Sequence, residues 1–403
     1  MDNVLLVSYF ASRQGCCPAE WVDDKVDAFV KRGKKVTLIS TITAKKIRSH
    51  NVKHIRIPSF SLSDFKEERA EAIHNNDFSK LNYLWIPFIC VLGLVIDLLQ
   101  KVLLKGIGGG RWSWAPSCLL ATLYTLLIGD YRFIVTTGGP ASAHLAGLFA
   151  GKISLKPIVS ELQDPLVGES IGRNSRSVQM QILLEKLMVR WCSKVVFVTK
   201  AAAEESRNRN ENKGNIVAIY PGSRKFNTVK NNISDKKVFL HLGTLYSTRN
   251  LDTFLLSLDE LINEEKIDPE SIEVINLGDI YLDNKQEYLN RSYFNSLSLV
   301  PRQEAVGFAA NADVNILVQH SDNRSNTTIP YKTYDYLNVG KPILGLLNSD
   351  ELSRLLKDNG HCVSNVNNVI EIKDMILRIL DNCSATVGEG INIEEQVMEL
   401  INF

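Results

Sequence analysis

The chain has 403 residues and a mass of 45.2 kDa, so roughly two or three domains are expected rather than one core. Hydrophobic residues make up 45% and charged residues 23%, which excludes a wholly disordered, collagen-like or polytopic membrane chain. Lys plus Arg (46) almost cancels Asp plus Glu (45), and a formal charge of +1 argues against a dedicated nucleic-acid binder, which is usually strongly basic. Cysteines at 16, 17, 90, 118, 192, 362 and 383 form no CxxC, and the adjacent pair 16–17 has no zinc-binding spacing. Such scattered thiols read as reduced residues of a cytosolic protein. The apolar start at residues 4–7 spans four residues without a basic flank, so no secretion signal is expected.

In chain order, residues 4–10 (VLLVSYF) read as a buried strand. Residues 18–31 follow with Trp21, Val22, Val26, Phe29 and Val30 at helical spacing, opened by Pro18 and closed by Gly33. Residues 35–40 (KVTLIS) are the next strand, and this βαβ order implies a parallel sheet. The pattern resumes with strands at 133–137, 157–162, 195–199 and 216–220, with helices to about 151 and over 176–192. Residues 223–235 are polar and aperiodic and read as a linker. Further strands are expected at 238–242, 272–277, 297–300, 314–318 and 342–347. The expected fold is therefore α/β, with two doubly wound, Rossmann-like domains facing across a cleft. They comprise residues 1–222 and 236–403, the last helix being free to pack back on the first domain.

Residues 83–99 (YLWIPFICVLGLVIDLL) break the pattern. The stretch is short for a membrane span, which needs about 20 residues, and it carries Pro87 and Asp97. Basic residues 101, 105 and 111 and tryptophans 112 and 114 follow. Residues 83–114 thus admit an interfacial membrane helix, a buried core helix or a true span, with the interfacial reading preferred.

Ligands of doubly wound sheets bind beyond the strand C-termini, so the loops there hold the candidate chemistry. Residues 106–111 (GIGGGR) lack the third glycine and the preceding strand of a dinucleotide site, and no GxxxxGK[ST] occurs. Gly15 ends the first loop, either as a backbone approach for a ligand or as a plain turn. In 238–250 (VFLHLGTLYSTRN) a strand ends at Gly243, and Arg249 precedes a helix whose free N–H groups suit a diphosphate. In 326–345 (NTTIPYKTYDYLNVGKPILG), Thr327 and Thr328 precede a helix opening at Pro330, and Lys332 and Asp335 share one face. That pattern offers hydroxyls and a lysine to phosphate, and a carboxylate to a sugar diol. A surface Lys–Asp pair is the plainer alternative.

The segment from Thr328 to Leu344 resembles the donor-binding segment of GT-B glycosyltransferases of the family-4 type, in the bacterial surface-polysaccharide branch. That segment reads Ile-Pro-x-Lys-x-x-Glu-Tyr-Leu and then Gly-Lys-Pro-Ile-Leu; here Asp335 stands for the Glu. A second glutamate found eight positions earlier in some members is Thr327, and the arginine that often follows the phosphate-loop glycine is Thr244. Residues 157–167 (PIVSELQDPLV) resemble the family's cleft-facing Asp-Pro segment, with Asp164 as the aspartate. Gly138-Gly139-Pro140 with His144 resembles the loop before it, and Val300 with Pro301-Arg302 the loop that reads the nucleobase. The resemblance implies a retaining, metal-independent transfer from a nucleotide-sugar to a saccharide, and a lipid-linked acceptor if residues 83–114 touch membrane. The enzyme would then work in the cytoplasm at the inner face of the plasma membrane. It further implies donor contacts from Gly243, Arg249, Val300, Thr327, Thr328, Lys332 and Asp335. Gly15, His144 and Asp164 would lie on the acceptor side, the last two as catalytic groups. No cofactor beyond the nucleotide-sugar co-substrate, no metal and no nucleic-acid partner is expected. For Asp164 a turn-forming role and for His144 a helix cap remain open. A sugar-nucleotide epimerase of the same fold and a non-catalytic binding protein are the rival functions.

Overall fold

The structure is a computed structural model that describes residues 3–13, 15–74, 85–103, 111–168, 175–226, 235–381, 388 and 390–402. The glycine run 106–110 and most of the expected linker lie outside the described residues. The chain divides into two compact units, Met1–Pro221 with Ile393–Phe403, and Gly222–Asn392.

The first unit runs β1 (Asn3–Val7), α1 (Cys17–Lys31), β2 (Lys35–Thr41), β3 (Val52–Ile57), α2 (Leu62–His74), α3 (Trp85–Leu103), α4 (Trp114–Ile128) and β4 (Ile134–Thr137). It continues with α5 (Ala141–Ser154), β5 (Ile158–Leu162), α6 (Ser175–Trp191), β6 (Lys194–Phe197), α7 (Lys200–Arg209) and β7 (Ile216–Ala218). The second unit holds β8 (Lys237–Leu242), β9 (Leu245–Tyr246), α8 (Asp252–Asn263), β10 (Ile272–Leu277), β11 (Ile280–Tyr281), α9 (Lys285–Leu289) and β12 (Phe294–Leu297). Then come α10 (Arg302–Asn311), β13 (Val314–Val318), α11 (Lys332–Val339), β14 (Ile343–Leu347), α12 (Asp350–Asp358), β15 (Cys362–Asn365) and α13 (Val369–Leu380). The last helix, α14 (Ile393–Ile401), returns to the first unit, where Ile393, Val397 and Leu400 join the core beside Val22, Val26 and Phe29 of α1.

Both main sheets are parallel, with strand orders β3-β2-β1-β4-β5-β6-β7 and β12-β10-β8-β13-β14-β15; β9 and β11 form a small separate pair. Chain order reverses between β1 and β4 in one sheet and between β8 and β13 in the other. These are the topological switch points where α/β sheets open crevices for ligands. The central strands read as near-continuous apolar runs because helices cover both faces, and Val4 to Val7 and Val314 to Val318 are all buried.

The expected strand at 297–300 is displaced: β12 ends at Leu297, where Asn295, Ser296 and Leu297 are exposed on an edge and only Phe294 reaches the core. Four strands have no counterpart in the expectation: the two-residue β9 and β11, and β3 and β15, the last two at sheet edges where burial is partial and the apolar signal weak. α11 starts at Lys332 instead of Pro330, with Tyr331 at its cap, and α8 starts at Asp252.

α3 is not a core helix. Ile89 is buried against Phe65 and Ile42, and Asp97 accepts hydrogen bonds from the Ser63 N–H (3.2 Å) and hydroxyl (2.7 Å). Its other side exposes Val91, Leu94, Leu98 and Val102, a stripe with helical spacing. No helix among the described residues is long and apolar enough to cross a membrane.

Candidate active site

Two glycines shape the turn after β8. Gly243 has φ +107° and Gly278, after β10, has φ +148°; a Cβ on Gly278 would fall 2.6 Å from the Gly243 backbone. The two loops can approach this closely only with glycine at that point. Gly243 also leaves room for Arg249, whose Nη2 donates to the Thr244 carbonyl at 2.9 Å while the guanidinium lies 5.0 Å from the Tyr246 ring centre.

Lys332, the first residue of α11, reaches the same turn. Its Nζ donates to His241 Nε2 (2.7 Å) and to the Leu242 carbonyl (2.6 Å), both neutral acceptors. His241 lies fully buried in β8, and its Nδ1–H donates to Asn276 Oδ1 at 2.7 Å, which leaves Nε2 as the acceptor for the lysine. Asn276 in turn donates to the Gly278 carbonyl (2.7 Å), and the Tyr336 hydroxyl accepts the Leu242 N–H (2.9 Å). Burial, and then the Arg249 charge, push the Lys332 ammonium well below the usual lysine range. The same burial, and then Lys332 itself, hold His241 neutral. Lys332 and Arg249 thus converge on one partly buried turn, an arrangement that an anion would relieve.

Asp335 is engaged elsewhere. It is buried, and Arg302 of α10 grips it bidentately, Nε to Oδ2 at 2.9 Å and Nη2 to Oδ1 at 2.6 Å. The Arg302 guanidinium is stacked between Tyr331 (4.6 Å) and Phe226 (5.1 Å). The expected picture of Lys332 and Asp335 serving one ligand from one face is therefore corrected: Asp335 anchors α11 to the start of α10. Thr328 also differs, because its hydroxyl donates to the Arg324 carbonyl (2.8 Å) and that proton is not offered to a phosphate. Thr327 is buried at the end of a 3-10 turn, and Val300 lies in the loop after β12, two residues before α10. Beside them, Thr248, His320, Asp322 and Arg324 form a connected polar cluster at the end of β13. The Arg324 guanidinium holds the Asp322 carboxyl well below the usual carboxylate range.

In the first unit, His144 is wholly buried in α5. Its Nε2 bonds the Gly138 carbonyl (2.7 Å) and its Nδ1 the Thr136 hydroxyl (2.8 Å). Burial depresses its pKa to about 4. Both nitrogens are occupied, so His144 fixes the Gly138 loop and is not placed as a base. Asp164 is exposed on the loop after β5. Gly15 has its N–H turned to Glu20 Oε1 (3.2 Å), which folds the first loop on itself. Asp23 holds that loop too, accepting the Ser12 N–H at 2.9 Å, and burial raises its carboxyl to about 7. Glu20 and Asp23 thus both tie the first loop to α1. Beneath the β5 loop, Glu161 pairs with Lys25 at 3.0 Å and accepts the Thr137 hydroxyl, all three buried. Among the described residues, no group of His, Cys, Asp and Glu is placed to hold a metal ion.

His241, Asn276 and Tyr336 were not anticipated as site residues, and Arg302 only as part of the loop after Val300. One signal was available, since a histidine in the apolar run VFLHL needs a partner if buried. The others depend on contacts between strands and helices far apart in sequence.

No protein-family description matches the chain, and no curated protein matches it in sequence. Solved structures do match over its full length. Sucrose-phosphate synthase from Thermosynechococcus elongatus is 12% identical, covering 100% of this chain and 95% of its own, with a TM-score of 0.63. HepE from Anabaena, solved with UDP, is 13% identical over 99% of this chain and 94% of its own (TM-score 0.58). A UDP-N-acetylglucosamine 2-epimerase, described as putative, from Listeria monocytogenes is 10% identical over 99% and 95% (TM-score 0.57). At these identities the likeness shows the fold, and that fold is the pair of Rossmann-like units of GT-B glycosyltransferases.

Proposed function

We propose that this chain is a glycosyltransferase that takes a sugar from a nucleoside-diphosphate donor bound in the second unit and passes it to a saccharide acceptor. The observation that carries this reading is the turn at Gly243, where Lys332 and Arg249 converge and Lys332 bonds only neutral acceptors. A departing nucleoside diphosphate would gain these charges and be stabilised as it leaves, without a metal. HepE, of the same fold, was solved with UDP and with UDP-glucose, which supports a uridine donor. Retention of anomeric configuration and the family-4, surface-polysaccharide assignment rest on the motif at residues 328–344. The exposed apolar stripe of α3 supports peripheral contact with the inner face of the plasma membrane, and hence a lipid-linked acceptor.

The test is release of UDP from a panel of UDP-sugars with and without saccharide acceptors. Acceptor-dependent release supports the transferase. Free sugar made without acceptor supports the epimerase reading, which the Listeria neighbour keeps in view. Absence of nucleotide binding would leave a non-catalytic protein.

A further inference from the structure

The first unit carries a second feature, separate from the strand-end loops. Between α4, α5 and α6 lies a cavity of about 380 Å³ lined by apolar side chains, among them Trp112, Leu119, Leu145, Phe149, Leu183 and Leu187. Its surroundings are apolar as well. α4 contains no charged residue and exposes Leu120, Tyr124, Leu127 and Ile128, which fall on one stripe at i, i+4, i+7 and i+8. α5 adds exposed Phe149 and Ile153, and α6 adds Leu183. A continuous apolar surface with a groove in it marks a binding face.

The charge at one end of this face is predominantly basic, with exposed Asp130 in the loop from α4 to β4 at the same edge of the sheet. Lys152 and Lys156 stand at the end of α5 and Arg190 at the end of α6. The Lys152 ammonium lies 5.6 Å from the Trp191 ring centre, and Trp191 packs edge-on against Phe149 of the groove at 5.7 Å. Among the described residues none of these three cations forms an ion pair. At the other end, Arg111 is already neutralised by Asp64 (3.3 Å) and Glu67 (3.0 Å).

We propose that this groove takes one hydrocarbon chain of an anionic phospholipid drawn from a bilayer, with the lipid phosphate at Lys152, Lys156 and Arg190. Chain direction separates this lipid from an acceptor. α5 and α6 lead into β5 and β6, so their C-terminal ends lie at the N-terminal edge of the sheet, and the loops that carry Gly138 and Asp164 leave the opposite edge. A headgroup at Lys152 is therefore remote from those loops, and the lipid anchors the protein without entering the reaction. The proposal stands whether or not the donor site is correctly assigned.

The experiment mixes the full chain with vesicles of phosphatidylglycerol or phosphatidylcholine whose acyl chains carry bromine, and reads quenching of tryptophan emission. Phosphatidylglycerol is expected to quench more strongly, with most of the quenching lost when Trp112→Phe and Trp191→Phe are combined. Leu183→Glu, on an exposed position, should abolish quenching at those two tryptophans. Lys152→Glu with Arg190→Glu should weaken binding about tenfold or more, since each basic residue near an anionic surface contributes about fivefold. Circular dichroism melting confirms that each variant is folded. Equal quenching by the two lipids, or full quenching in folded Leu183→Glu, overturns the proposal. So does a dimer in sedimentation that Leu183→Glu dissociates, because the groove would then seat a second copy of the chain.

Discussion

Replacing Lys332 by Met keeps most of the side-chain stem and removes the charge at the Gly243 turn. A charge-assisted hydrogen bond to phosphate in such a site contributes roughly 1.5–3 kcal/mol, so UDP affinity should fall by about tenfold to 150-fold. Folding should change far less. The variant loses bonds to His241 and Leu242, but it no longer withdraws an ammonium from water beside Arg249. The pH dependence has a defined sign. Lys332 titrates below lysine's ordinary value in the fold, so between the two values the unfolded chain binds more protons, and Lys332 makes stability rise with pH there. A bound diphosphate draws that pKa back up, so UDP binding should take up a fraction of a proton. Titration calorimetry in two buffers of different ionisation enthalpy measures both affinity and uptake. A folded Lys332→Met variant that binds UDP within about threefold of the parent, with unchanged proton uptake, would refute the reasoning.

Asp335→Asn should lower stability to urea by about 1.5–3 kcal/mol, because it removes the charged acceptor of the bidentate bond from the half-buried Arg302 guanidinium; an unchanged midpoint would mean the pair is not formed in solution. Gly278→Ala should abolish UDP binding more than it destabilises the sheet, since its methyl meets the Gly243 backbone, and calorimetry beside a thermal melt reads the split. His144 is held at about 4, below its ordinary 6.5, so its contribution to stability is lost as pH falls through that window, by up to about 3 kcal/mol. Urea unfolding of His144→Gln between pH 4 and 7 should show a shallower slope than the parent.

What could be read from the sequence was decided by how a strand is buried. β1, β4, β8 and β13 are covered on both faces, and their apolar runs identified them and the parallel order together. β3 and β15 lie at edges, where one face meets solvent and polar residues interrupt the run, so periodicity carried little signal. α3 was ambiguous for a different reason. Composition gives its hydrophobicity but not its surroundings, and only the placement of Ile89 and Asp97 against α2 shows which side remains exposed.

The segment 326–345 illustrates the same limit within a single helix. Residues three apart share a helix face, and from spacing alone Lys332 and Asp335 looked like two groups for one ligand. Their partners lie on different strands and helices: β8 supplies His241 and the Leu242 carbonyl to the lysine, and α10 supplies Arg302 to the aspartate. The ion pair with Arg302 fixes the first turn of α11 against α10, and that in turn fixes where Lys332 points. A shorter carboxylate at position 335 then has a consistent physical role. It serves as the anchor that ties α11 to α10 and so sets where Lys332 stands beside Arg249.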